Sequence, residues 1–94
     1  MTALADDEVR SGLVGLPSWA LADGEIVAHY GFDNFRRAVV FVVGVAFEAE
    51  AADHHPDIDV RYNRVRIALS THSAGGVTAK DLALAAVIEG LVGR

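Results

Sequence analysis

Between Asp53 and His72 the chain reads DHHPDIDVRYNRVRIALSTH, which holds three of the four histidines of a protein that contains no cysteine. An unperturbed imidazole titrates at about pH 6.5, so near neutrality one ring can give a proton while another takes one. Neutral imidazole is also a common metal ligand, and His54 and His72 with a carboxylate form a chemically reasonable set. No HxH or HExxH spacing accompanies them. The same rings could simply finish turns, so three readings stand open on these residues alone.

The backbone narrows where the rings go. Pro56 fixes its own φ and pushes His55 toward extended geometry. Adjacent side chains on extended backbone point to different sides, so His54 and His55 are expected to meet different surroundings. His72 lies at the far end of a hairpin, an end that an antiparallel sheet can bring back beside the close of the preceding helix. The fourth histidine, His29, is expected on a solvated sheet face.

Around this stretch the periodicity alternates between helix and strand. In ADDEVRSGLVGL, Val9, Leu13 and Leu16 recur at near-helical spacing behind acids suited to a helix N-terminus. From Trp19, the turn signal Asp23-Gly24 separates WAL from EIVAHYGF, in which Ile26, Ala28, Tyr30 and Phe32 alternate onto one face. Asp33 or Asn34 is placed to cap the next helix, with Phe35, Val39, Val42, Ala46 and Ala49 on one stripe. The run VVFVV suits a buried strand equally well, but a stretch near twenty residues without a turn decides for helix. A second hairpin follows Pro56, with its turn expected at Asn63-Arg64, where the alternation of Val60 and Tyr62 shifts phase to Val65, Ile67, Leu69 and Thr71. A last helix is expected from about Lys80 to Val92, with Thr78 and Asp81 at capping-box spacing and a stripe of Leu84, Val87, Ile88, Leu91 and Val92. The order α-β-β-α-β-β-α reads as one α+β domain over residues 1–94: a four-stranded antiparallel sheet with three helices on one face.

Composition limits what such a domain does. Eight basic residues against thirteen acidic ones give a formal charge of −5, which argues against nucleic acid or an anionic membrane as partner. Arg61, Arg64 and Arg66 form the basic cluster of the chain and read as a solvated strand face. The longest apolar run, AVVFVVGVAF, is about half a membrane span. Without cysteine or a basic N-terminal leader, a soluble cytoplasmic protein is expected. A hydrophobic fraction of 52% is high for 94 residues, and the helix from Asn34 to Ala52 is apolar nearly all round. Self-association through that helix, as dimer or tetramer, is expected, with Phe35, Val39, Val42 and Ala46 on the home sheet and Phe41, Val45 and Val40 directed outward.

The succession Glu50-Ala-Ala-Asp-His54-His55-Pro56, then Ser70-Thr71-His72, then Gly76-Val77-Thr78-x-x-Asp81 resembles pterin-4a-carbinolamine dehydratase, and Trp19 and Phe32-x-x-Phe35 extend the likeness over almost the whole chain. The resemblance implies a hydro-lyase that removes water from a 4a-hydroxytetrahydropterin to give the quinonoid dihydropterin, with no metal and no bound cofactor. It implies His54, His55 and His72 as catalytic imidazoles, with Asp81 pairing with one of them. Trp19 and Glu50 would line or orient the pterin site, together with Pro56, Ser70 and Thr71 of the two motifs. Each has a plainer alternative: Trp19 in the core, Asp81 capping its helix, Glu50 solvating a helix end. Asp57-Ile58 and Lys80 depart from the family, where a bulky aromatic and an arginine are frequent. Animal members also serve as dimerisation cofactors through their helical surface, so a non-catalytic binding module is the alternative function.

Overall fold

The computed structural model describes residues 2–92. Along it run α1 (Asp6–Gly12), β1 (Trp19–Ala22), β2 (Glu25–Gly31), α2 (Phe35–Ala52), β3 (Asp57–Arg61), β4 (Arg64–Leu69), a short 3-10 turn (His72–Ala74) and α3 (Ala79–Leu91). The four strands form one antiparallel sheet in the order β1-β2-β4-β3, as two hairpins joined through their second strands. The α+β order expected from the sequence is the order observed.

Local chemistry sets the boundaries. Asp23 and Gly24 both take positive φ, 52° and 78°, the combination a tight two-residue hairpin favours. Asn34 caps α2, its side chain accepting from the Arg37 amide at 2.9 Å. The β3–β4 turn falls one residue earlier than expected, at Tyr62-Asn63, because Asn63 is tied to the chain leaving β2. Its Nδ2 donates to the Phe32 carbonyl at 2.7 Å, and its own carbonyl accepts from the Phe32 amide at 2.9 Å. Tyr62, left in the turn at φ 52°, is exposed instead of continuing the alternation of Val60.

One side of the sheet carries the core. Ile26, Ala28, Tyr30, Val65, Ile67 and Leu69 meet Val9 and Leu13 of α1, Phe41 and Val45 of α2, and Leu84 and Ile88 of α3. The helices therefore share one face of the sheet, and α1 approaches α3 so closely that a Cβ on Gly12 would lie 2.6 Å from a Leu82 methyl. His29, on the other face, is exposed as expected.

Helix α2 is rotated relative to the expected stripe. Its buried residues are Ala38, Phe41, Val45 and Ala49. Phe41 stacks its ring within 5.1 Å of Tyr30 and 5.0 Å of Phe32, so Phe41 and Val45 are core residues and do not point outward. An apolar run that covers the whole circumference carries no phase, and here the small Ala38 and Ala49 let the backbone sit close to the sheet. Phe35, Val40, Val43 and Phe47 are left outside at 53%, 59%, 47% and 73% exposure. In α3, likewise, Leu84 and Ile88 are buried, whereas Val87 is exposed and Val92 lies beyond the helix end.

Candidate active site

Helix α2 ends in a left-handed residue, Asp53 at φ 49° and ψ 44°, and the His54 amide reaches back to the Ala49 carbonyl at 3.1 Å. A non-glycine residue in this region costs about 1 to 2 kcal/mol, least for Asp and Asn. The turn throws the chain off the helix axis, and Pro56 then holds the next residues on course into β3. His54 and His55 separate as extended geometry requires. The His54 side chain is nearly buried, with Nε2 against Asp81 Oδ1 of α3. His55 stays in solvent, its Nε2 2.7 Å from Glu50 Oε1 on the last turns of α2. That pair is 59% and 79% exposed, so it orients the ring while contributing little stability.

Asp81 is fully buried. It serves two purposes with its two oxygens. Oδ2 accepts the Thr78 amide at 2.8 Å, the carboxylate half of a capping box, and also the Thr71 hydroxyl at 2.8 Å. Oδ1 is thereby left for His54. A buried carboxylate is costly unless charge-assisted hydrogen bonds compensate, and here three groups converge on it. Capping and pairing with an imidazole, compatible roles in the sequence reading, occur together in this one residue.

Thr71 is buried and turned into this network, its Oγ1 also 2.8 Å from Thr78 Oγ1. An isolated bridge between Thr71 and Gly76 closes the loop around the 3-10 turn, which begins with the exposed His72. His72 thus lies next in sequence to a residue that touches the partner of His54, so both motifs come to the same end of the molecule. Ser70 and Pro56 flank the strands that lead there and are half-buried. Trp19 is elsewhere. It is buried in the core edge-on to Tyr30, with ring centroids 6.5 Å apart, and Tyr30 donates to Glu89 at 2.6 Å. Glu89 sits eight residues, hence about 12 Å of helix, beyond Asp81. Burial first and Glu89 second push the Tyr30 phenol well above its ordinary range.

A shallow groove of about 360 Å³ runs along α2 and α3 past His54, bounded by Glu48, Ala52, Lys80, Leu84 and Val87. Two larger hollows lie away from this chemistry. One, of about 500 Å³, is lined by Phe32, Arg37, Phe41 and Leu91 among others; the other, of about 670 Å³, covers the outer sheet face at His29, Arg61, Arg64 and Arg66. Size alone does not make a site, and the convergence of a buried carboxylate on a histidine favours the smaller groove. Among the described residues no three histidine or acidic side chains come together in a way that could hold a metal ion. Thr78 enters this site although its sequence signal was that of a cap; the capping-box spacing to Asp81 was the hint available.

A family model described as "Pterin 4 alpha carbinolamine dehydratase" matches residues 2–91. The chain belongs to this family. A relative from Chloroflexus aurantiacus is 54% identical over 93 residues, covering 99% of this chain and 100% of its own length. One from Mycobacteroides abscessus is 45% identical over 94 residues, covering 100% of both. Each bears the name "Putative pterin-4-alpha-carbinolamine dehydratase". Among solved structures, a transcriptional coactivator/pterin dehydratase from Brucella melitensis superposes with a TM-score of 0.93 at 34% identity, over 98% of this chain and 100% of that one. A pterin dehydratase-like protein identified as a RuBisCO assembly factor in the alpha-carboxysome shares the fold, with a TM-score of 0.69 at 21% identity over 82% and 92% of the two chains. The pterin dehydratase fold is thus found in proteins described by different roles.

Proposed function

We propose that the protein is a 4a-hydroxytetrahydropterin dehydratase working by histidine acid-base catalysis. The observation that carries the reading is the imidazole of His54 held by the fully buried Asp81, in a family member whose HHP and STH motifs are intact. The reaction requires a proton to leave N5 of the pterin as the 4a hydroxyl takes up a proton and departs as water. One base and one acid are enough, and His54, His55 and His72 offer three titratable rings at one end of the fold. Glu50 steadies His55, while Pro56, Ser70 and Thr71 shape the loops that carry the rings. Trp19, from the core, would support the site at a distance.

In the same reading the protein self-associates through the outward face of α2. Phe35, Val40, Val43 and Phe47 together expose an apolar patch on the order of 400 Å², a size that usually marks an interface. The reading is of a cytoplasmic homo-oligomer acting on a free pterin.

The test is dehydration of synthetic 4a-hydroxytetrahydropterin by chelator-treated protein. His54→Ala and His72→Ala should each lower turnover by roughly 10²-fold or more, the contribution of a positioned acid or base. Unchanged turnover in both variants, or activity that chelator abolishes and zinc restores, would defeat the reading.

A further inference from the structure

The hydrogen bonds behind His54 run in one direction. The Thr78 amide can only donate, so the Asp81 Oδ2 that it meets is an acceptor. Facing the same oxygen at 2.8 Å, Thr71 Oγ1 spends its single proton on Asp81. The 2.8 Å approach between the two threonine hydroxyls is then satisfied only with Thr78 as donor and Thr71 as acceptor. Thr78 Oγ1 keeps its lone pairs for the Lys80 amide at 3.3 Å. Two donors on Oδ2 stabilise the ionised form of the carboxylate, and an ionised Asp81 presents Oδ1 to His54 as an acceptor. Against that acceptor the ring carries its proton on Nε2.

We propose that Thr71 and Thr78 are positioning residues that fix this proton order, so that His54 exchanges protons with substrate through Nδ1 and never through Nε2. In the neutral ring Nδ1 offers a lone pair, and in the charged ring it offers an N–H. Among the described residues Nδ1 has no protein partner, while the ring itself borders the groove between α2 and α3. Thr71 thereby acts on the reaction without touching the pterin. Because Thr71 and Asp81 come from different elements, the β4 exit and the first turn of α3, docking of α3 and the tautomer of His54 are set by the same three bonds.

The assignment deepens the dehydratase reading, but its first test does not depend on activity. In protein labelled with ¹⁵N-histidine, two-bond nitrogen–proton spectra of the neutral His54 ring should show the Nε2–H tautomer, with Nδ1 unprotonated. Thr71→Val, which keeps the shape and removes the donor, should give a mixed tautomer and lower kcat by on the order of tenfold with KM little changed. Thr71→Ser, which restores the hydroxyl, should recover both. A wild-type ring protonated on Nδ1 overturns the proposal, and this measurement needs no variant to fold. So does a Thr71→Val protein that matches wild type in both tautomer and kcat. An inactive wild type with the Nε2–H tautomer would defeat the dehydratase reading and support the proton order.

Discussion

Replacing Asp81 by asparagine separates its two purposes. Asparagine keeps the shape and one acceptor, and the Thr78 amide, an obligate donor, will claim that oxygen. The NH₂ group is then turned on His54, where it meets an Nε2 that must give up its proton to be an acceptor. The cap survives while the imidazole is presented in the wrong tautomer. Loss of the charge from three hydrogen bonds should cost about 1 to 2 kcal/mol of stability. Alanine removes every acceptor at once. The buried Thr78 amide loses its partner and the capping box is broken, together worth about 2 to 4 kcal/mol. At 94 residues the whole domain has only about 5 to 14 kcal/mol to lose.

Activity should follow a different order from stability. If Asp81 only capped α3, Asp81→Asn would turn over at the wild-type rate per folded molecule, and Asp81→Ala would fail by unfolding alone. With His54 as acid or base, Asp81→Asn loses most of the contribution of that ring, a fall in kcat of roughly 10²-fold or more, in a protein that is still folded although about 1 to 2 kcal/mol less stable. Dehydration rates corrected for folded fraction, measured beside urea unfolding curves, read both quantities on one preparation. A well-folded Asp81→Asn protein with kcat within about threefold of wild type would refute the reasoning and return the buried carboxylate to a capping role.

Three further outcomes are expected. Phe47→Asp, at the most exposed large apolar position of α2, should shift the protein to a smaller species by light scattering without loss of helix content; an unchanged mass would remove this face as the interface. Phe41→Asp, by contrast, should unfold the domain, since Phe41 packs on Tyr30 and Phe32 and not on a partner, and a cooperative unfolding curve near wild type would contradict that placement. The Tyr30 phenol keeps its proton in the folded state at pH values where the unfolded chain has lost it. The unfolded state then binds fewer protons, so stability present below about pH 10 should decline as pH rises further, and Tyr30→Phe should flatten that decline in urea titrations.

How much of this was legible in the sequence depended on whether a feature was local. The Asp23-Gly24 hairpin and the Thr78–Asp81 capping box are decided within four residues and appear where the spacing put them, and of the two candidate caps of α2, Asp33 and Asn34, it is Asn34 that serves. The divergence of His54 and His55 was also readable, because Pro56 dictates extended backbone. The facing of α2 was not, since an all-apolar circumference contains no phase and only the sheet beneath, with Tyr30 and Phe32 waiting for Phe41, selects one. The Tyr62-Asn63 turn moved by one residue for a similar reason: its determinant is the Phe32 backbone, 31 residues away in the chain.

The site itself lies between these extremes. Asp81 announced a cap through its spacing from Thr78, but nothing periodic connects it to Thr71, ten residues earlier, or to His54, twenty-seven residues earlier. Those bonds exist only once β4 has delivered its exit beside the first turn of α3 and the left-handed Asp53 has turned the chain out of α2. A carboxylate used for capping is already desolvated, already oriented and already short of one partner. Supplying that partner from a histidine needs no additional buried charge. The economy accounts for the place of His54, the ring proposed to react, beside a helix N-terminus and not in the larger hollows, where Arg37 or the arginines of β3 and β4 meet open solvent without a buried group to orient them. With the proposed role of His54, activity and the docking of α3 share one set of bonds. Substitutions at Thr71, Thr78 or Asp81 should therefore never be purely structural or purely catalytic, and only paired measurements of stability and turnover will apportion their effects.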